Sequence, residues 1–452
     1  MFEIKFRPRQ FTPDMESVKT HQVPQWYDDC KLGIFIHWGA YSVPAFAPPT
    51  CELGDIPIDE SWFSNNPYSE WYMNSVRVGY GPSYEYHKKT YGEDFPYENF
   101  TDMWHAENWD PSEWADLFKK SGAGYIVPVS KHHDGFCLWP SKYTDYHTGN
   151  RGPKRDIIGE LGDAVRAEGM KYGLYYSGIL DWTYTNIPIF DEFDVHNPPN
   201  VTAAYADYAL NQAMELIDRY KPSVLWNDID WPKKGLVDLP VLFSYYYNQV
   251  PEGVVNDRWN GIWADYTTKE YKYGSMTLDK KWEMCRGLGL SFAYNKMETE
   301  EHYINKNKLI ALLLESVSHN GNLLINIGPK ADGTIPAEQR DRLLYLGAWL
   351  SENGDAIYGT RPWTRQQEKI AGNIDVYFTA KENNVYLILD GCKSGESEVV
   401  VPGLGEHAEK IRILSNSDKA DRIQANFSKN DSDLIISLNS VPTESAPIAF
   451  VF

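Results

Sequence analysis

Basic residues are in short supply: 43 lysines and arginines face 63 aspartates and glutamates, so the 452-residue chain carries a formal charge of −20. Such a surface repels phosphate backbones and anionic lipid head groups, so neither nucleic acid nor a membrane surface is an expected partner. Cysteine is scarce as well. The five residues Cys30, Cys51, Cys137, Cys285 and Cys392 are far apart and include no CxxC pair, which indicates neither a zinc knuckle nor a disulfide framework. No apolar run reaches the roughly 18 residues that a membrane-crossing helix needs. The opening MFEIKFRPRQ lacks the apolar stretch of a secretory leader. The expectation is a cytoplasmic protein, or a secreted or periplasmic one had a leader been removed. Also missing are a Walker loop, a dinucleotide fingerprint, an HExxH spacing and a GxSxG elbow.

What is present belongs to a folded, core-forming chain. Hydrophobic residues make up 42% and charged residues 23%, an ordinary globular balance that argues against disorder for most of the length. The length suggests two or three domains, although an α/β barrel can use about 250 residues alone. Sixteen Trp and 31 Tyr exceed ordinary core needs. Their flat rings suit the apolar face of a sugar, and they suit plain packing equally.

From Gly33 to about Pro329, short apolar runs alternate with amphipathic helical patterns. GIFIHWG, GYIVPVSKHH, YGLYYS, SVLWND, GVVNDR and NLLINIGP read as strands that end in polar residues. Between them, Asp110 caps a helix with Pro111 at its first position and Glu113 able to complete a capping box. Trp114, Leu117 and Phe118 then share one face. A second helix starts near Asp156, buries Ile158, Leu161 and Val165, and stops at Gly169. A third, YADYALNQAMELIDRY, is closed by Pro222. This alternation predicts a (β/α)8-like (TIM) barrel. After about Gly359 the pattern becomes period-2: IDVYFTA, NVYLILDG, SEVVVPG, KIRILS, DLIISL and PIAFVF. These predict a C-terminal antiparallel β-sandwich. The expected division is a catalytic barrel over 1–358 and a sandwich over 359–452, with a linker near YGTRPW.

In a barrel, reacting groups project from the C-terminal ends of strands. That rule selects His37 and Trp38, then His132, His133 and Asp134, Tyr175 and Tyr176, Asn227 and Asp228, and Asn256, Asp257 and Arg258. Asp228, in VLWNDIDWP, stands just past an apolar strand between Trp226 and Trp231. A carboxylate there is either a rigidly aimed nucleophile or a turn aspartate. Asp230 falls on the following loop. His132 and His133 could ligate a metal, but adjacent strand residues point to opposite faces. Hydrogen bonding to hydroxyls, or to backbone in the core, is the simpler reading. Nothing local separates Glu270, on an irregular stretch, from a solvated glutamate. GNLLINIGPKADGTIP reads as a buried strand with a shaped loop.

Taken together, WYDDCKLGIFIHWGAYSVPA, NPYSEWY, WDPSEWADLFKKSGAGYIVPVSKHHDGFCLW, RGPKRD, YGLYYSGILDW, LWND and GNLLINIGPKADGTIP resemble the α-L-fucosidases of glycoside hydrolase family 29, in that family's order, over roughly residues 20–365. The resemblance implies a somewhat irregular barrel followed by a β-sandwich. It makes Asp228 the nucleophile and places fucose against His37, Trp71, His132, His133 and Tyr175, with Glu70, Arg258 and Phe292 at further pocket positions. Glu270 matches the acid/base placement, and Glu283, in KWEMCRG, is held in reserve. The implied reaction is retaining: exo-acting removal of terminal α-L-fucose by double displacement through a fucosyl-Asp228 ester, with carboxylates about 5–5.5 Å apart. Two like charges that close disfavour joint ionisation. No metal and no other cofactor is needed. The expected partners are fucosylated oligosaccharides or glycoconjugates, and the resemblance leaves room for a homo-oligomer. The sandwich is expected to be a packing partner. Two alternatives stand beside this reading: a metal-dependent barrel hydrolase built on His37, His132 and His133, and a non-catalytic glycan-binding protein on the same fold.

Overall fold

The structure is a computed structural model, and it describes residues 10–55, 57–199, 201–271, 278–414, 423–442 and 445–452. Most of the opening stretch, read above as lacking a leader, lies outside the described residues. Nine strands form the first layer: β1 Leu32–Ile36, β2 Tyr125–Lys131, β3 Lys171–Tyr172, β4 Leu174–Ser177, β5 Val224–Asp228, β6 Val254–Val255, β7 Thr267–Glu270, β8 Trp282–Gly287 and β9 Gly321–Ile327. They run parallel in the spatial order β6-β5-β4-β2-β1-β9-β8-β7, with β3 beside the start of β2. β1, β2, β5, β8 and β9 are buried throughout, as strands covered on both faces must be.

The sheet curls into a barrel, but among the described residues no ladder joins its ends, β6 and β7. Side chains and single backbone bonds span that seam instead. Asp265 N donates to Val255 O at 3.0 Å, and Thr268 N and Oγ1 donate to Asp257 Oδ1 at 3.0 and 2.7 Å. The barrel interior beneath the site is polar at one point. Glu283, inside β8, accepts from Tyr27 Oη (2.8 Å), Tyr125 Oη (2.5 Å) and Trp226 Nε1 (3.1 Å). Gly33 makes room for this arrangement, because a Cβ there would collide with the Tyr125 ring.

The three helices form where expected, each behind its N-cap, and Glu113 enters the first cap only through its backbone amide. Asp110 accepts from Ser112 N and Glu113 N at the start of Pro111–Lys120. Asp156 accepts from Gly159 N ahead of Ile157–Ala167. Gly169 follows at φ +74°, the left-handed conformation that glycine adopts most readily after a helix. The third helix starts two residues before the predicted segment, at Ala203, and runs to Tyr220 behind a Thr202 cap.

Beyond the helix Ala337–Asn353, eight antiparallel strands follow among the described residues: β10 Arg361–Ile370, β11 Ile374–Lys381, β12 Asn384–Asp390, β13 Gly395–Val401, β14 Arg412–Ile413, β15 Gln424–Asn430, β16 Asp433–Val441 and β17 Ile448–Val451. They make a five-stranded sheet, β10-β11-β12-β17-β14, and a three-stranded sheet, β13-β16-β15. The central strands of the five-stranded sheet, β11, β12 and β17, are buried on both faces, and the strand period divides their residues. Val376, Phe378, Leu387, Leu389, Ile448 and Phe450 join the core between the two sheets. Their neighbours Tyr377, Tyr386, Ile388, Ala449 and Val451 join the barrel's core. Trp349 Nε1 also donates to Pro447 O at 2.8 Å, stitching the last barrel helix to β17.

Candidate active site

A cavity of about 410 Å3 opens at the C-terminal ends of the barrel strands. It is lined by the ten residues to which the resemblance gives roles, His37, Glu70, Trp71, His132, His133, Tyr175, Asp228, Arg258, Glu270 and Phe292, but not by the other strand-end candidates Trp38, Asp134, Tyr176, Asn227, Asn256 and Asp257. Glu283 does not line it either. It sits in the barrel interior, fully screened from solvent, where three donors engage it and burial pushes its carboxyl up.

Asp228 is the last residue of β5. Its Oδ2 accepts from Tyr175 Oη at 2.7 Å, and its Oδ1 accepts from Arg258 Nη1 at 2.5 Å and from the Ile229 amide at 2.8 Å. Burial by itself would raise this carboxyl. The Arg258 charge and the Tyr175 hydroxyl outweigh burial and hold it below the usual carboxylate value. The group therefore stays ionised at neutral pH although it is buried, the state a nucleophile requires.

Glu270 differs from the sequence expectation in one respect: it ends strand β7 rather than lying on an irregular stretch. It is only partly buried, and its Oε2 accepts from Arg258 Nη2 at 2.8 Å. Its Oε1 accepts from Tyr68 Oη at 3.3 Å. One guanidinium thus holds both carboxylates by its two terminal nitrogens, and its positive charge offsets their mutual repulsion. The same guanidinium lies 4.7 Å from the Trp226 ring centroid, a cation–π seat that fixes its plane.

The imidazoles stand beside Asp228. The expectation that His132 and His133 point to opposite faces does not hold, because β2 ends at Lys131 and both residues lie past it. Their rings stand 4.0 Å apart, centroid to centroid, and line the same cavity. Burial drives both far below the ordinary imidazole value, and lowers His37 to about 4. All three are neutral near pH 7 and can read hydroxyl groups as donors and acceptors. His37 Nδ1 donates to Asn326 Oδ1 at 2.7 Å. His133 Nδ1 donates to Ser177 Oγ at 2.7 Å, and Ser177 Oγ in turn donates to Leu180 O at 2.6 Å. His133 Nε2 is thereby left as an acceptor, 3.7 Å from Asp228 Oδ2.

Glu70 is buried, and burial raises its carboxyl to about 7 although the Ala293 amide (2.9 Å) and the Ser291 hydroxyl (3.1 Å) both donate to it. Trp71 meets His133 edge-on at 5.2 Å. Phe292 packs beside His37, 5.0 Å between centroids, and its carbonyl accepts from Asn326 Nδ2 at 2.5 Å.

His132, His133 and Asp228 bring one ligand atom each within 4.8 Å of the others. The Arg258 cation already neutralises Asp228 and would repel a second cation placed beside it. The cluster suits hydroxyl recognition better than metal binding.

Several lining residues were not given a site role by the sequence. Phe35, Tyr68, Trp226 and Cys285 lie inside the segments GIFIHWG, NPYSEWY, LWND and KWEMCRG, beside residues that were, whereas Leu53, Ile58, Trp62, Glu192, Val195 and His196 lie in no such segment.

Comparison with known proteins points one way. The family model described as alpha-L-fucosidase matches residues 2–355. The human tissue alpha-L-fucosidase is 33% identical over 461 residues, covering 98% of this chain and 91% of the relative. The alpha-L-fucosidase of Dictyostelium discoideum is 33% identical over 438 residues, with 91% and 90% covered. Among solved structures, the Thermotoga maritima alpha-fucosidase in complex with fucose is 47% identical with a TM-score of 0.87, and 98% of this chain and 99% of that one are covered. The Thermotoga maritima alpha-L-fucosynthase in complex with alpha-L-Fuc-(1-2)-beta-L-Fuc-N3 is 48% identical with a TM-score of 0.89 over the same shares. With its barrel, its β-sandwich and its pocket of carboxylates and imidazoles, the chain is a member of the hydrolytic alpha-L-fucosidase family.

Proposed function

We propose that this chain is a retaining, exo-acting enzyme that removes terminal α-L-fucose from glycans or glycoconjugates by double displacement, with Asp228 as nucleophile and Glu270 as acid/base. The observation that carries this reading is the Arg258 fork, which holds the two carboxylates side by side at one end of the cavity. A bridged pair favours the close spacing of retaining enzymes over the wide one that admits a water. In the first step Asp228 Oδ attacks C1 while Glu270 gives its proton to the departing glycosidic oxygen, forming a β-fucosyl ester. In the second, Glu270 takes a proton from water as that water attacks C1, and Asp228 leaves. Arg258 must release Glu270 in part as the sugar enters, and Tyr68 remains to orient it.

The neutral imidazoles of His37, His132 and His133, with Glu70 and Trp71, grip the hydroxyl groups, and Phe292 meets the C6 methyl. The barrel over 1–358 supplies every one of these groups, and the sandwich over 359–452 serves as its packing partner. The Thermotoga fucosidase solved with a mechanism-based inhibitor and that solved with fucose support the substrate class.

The test is the stereochemistry of the first product. Proton NMR of early p-nitrophenyl α-L-fucoside hydrolysis should show α-L-fucose before mutarotation; β-L-fucose appearing first would overturn double displacement. The other reading, a non-catalytic fucose-binding protein, predicts fucose binding with no release of p-nitrophenol.

A further inference from the structure

The turn that follows Asp228 is strained, and its anchors lead out of the pocket floor. Ile229 has φ +66°, the left-handed region that a β-branched residue rarely enters. The Asp230 amide donates back to Asp228 O at 3.0 Å. An i to i+2 hydrogen bond around a positive φ is the signature of the rare, strained γ-turn. Glycine would adopt this conformation without penalty. Isoleucine is present instead, and its side chain lines the cavity.

A strained turn persists only where its surroundings over-determine it. Here the Asp230 carboxylate does so. Its Oδ1 accepts from Asn260 N at 3.2 Å, and its Oδ2 pairs with His196 Nδ1 at 2.9 Å. Asn260 Oδ1 in turn accepts from Trp231 N at 2.8 Å. Gly178 completes the seat, since a Cβ there would collide with the Asp230 carbonyl and with Asn227 Oδ1. His196 ends the short helix Glu192–His196, which forms one wall of the cavity mouth.

We infer that Asp230 is a positioning residue: by clamping the Asp228–Ile229–Asp230 turn between Asn260 and His196, it fixes the angle at which Asp228 meets C1 and ties that angle to the wall of the mouth. The inference rests on Asp228 being the nucleophile. Loss of the clamp lets Ile229 relax to a negative φ and swings Asp228 off Arg258. Because the fucose contacts arise on other strands, the damage falls on kcat rather than on KM.

The test compares wild type, Asp230→Asn, Asp230→Ala and the double variant Asp230→Ala/Ile229→Gly. Turnover and the rate of covalent labelling by 2-deoxy-2-fluoro-α-L-fucosyl fluoride are measured per folded molecule. Asp230→Ala should slow labelling by about ten- to a hundredfold with KM within about threefold, the scale of a small misplacement of a reacting group. Asp230→Asn, which keeps the shape of the clamp, should fall less. Adding Ile229→Gly should restore part of the rate, because glycine holds the turn without strain; a purely structural role predicts no such rescue. Should Asp230→Ala not fold, His196→Ala removes only the half-exposed outer anchor and should lower kcat by about two- to fivefold. A crystal structure of Asp230→Ala reads the turn without reference to activity. Ile229 still at positive φ with Asp228 still on Arg258 would overturn the inference, as would wild-type labelling rates. Retained activity in Asp228→Gly would instead sink the nucleophile assignment, while the crystal structure would still decide whether Asp230 holds the turn.

Discussion

Arg258 Nη1 stands 2.5 Å from Asp228 Oδ1, and this contact sets the protonation state on which the proposed chemistry depends. Arg258 and Tyr175 hold Asp228 below the usual carboxylate value against the pull of burial. Asp228 must be ionised to attack, so the acid limb of kcat/KM falls as pH drops through its pKa. A depressed pKa places that limb at low pH. Arg258→Met should therefore move the acid limb upward and lower kcat/KM at neutral pH by about a hundredfold or more, the cost of losing one preorganised charge partner. A pH–rate profile checks both. An unmoved acid limb would mean that another group sets it.

Glu270 and Glu283 are separated by a single experiment. Glu270→Ala should hydrolyse aryl fucosides slowly because the ester is no longer attacked by an activated water. Azide needs no base, so it should restore turnover and give α-L-fucosyl azide, with retained configuration. Glu283→Ala should show no such rescue. Its fault should be thermal, because Tyr27, Tyr125 and Trp226 would all lose their acceptor. Unsatisfied buried donors cost about 1–3 kcal/mol each, visible as a lowered Tm.

Glu70 links the pocket to stability. Burial raises its carboxyl from 4.5 to about 7. Between those values the folded chain keeps a proton that the unfolded chain has lost, so this group's contribution to stability falls as pH rises through the window and is constant above it. The full effect is up to about 3 kcal/mol, at about 1.4 kcal/mol for each unit of pKa. Melting of wild type and Glu70→Gln across pH 4.5–7 should show the wild type losing ground relative to the variant as pH rises. Parallel curves would contradict the burial argument.

Much of this was legible in the sequence, for physical reasons that also explain what was not. Six barrel strands announced themselves because parallel strands buried on both faces read as apolar runs. β8 did not, since its interior positions carry Glu283 and Arg286, which are satisfied by partners distant in sequence. β7, TTKE, is half-buried at every position and has no period. β10 and β15 are polar strands whose existence depends on pairing with β11 and β16. The same limit hid part of the site. His37, Asp228 and Arg258 lie at or just past strand ends, where the barrel rule looks. Trp62, Glu192 and His196 lie on two five-residue helices outside the barrel strands, Glu60–Ser64 and Glu192–His196, too short for a helical period to mark them. The His132–His133 pair escapes period-2 alternation for a related reason: both residues lie past the end of β2 at Lys131.

The central claim is tested most directly by Asp228→Gly assayed on p-nitrophenyl α-L-fucoside with and without sodium azide. The account predicts loss of turnover in the variant by about a thousandfold or more, as for removal of a covalent nucleophile, and recovery with azide to give β-L-fucosyl azide of inverted configuration. Turnover near that of wild type without azide would contradict it, and would move the nucleophile to another residue of the pocket.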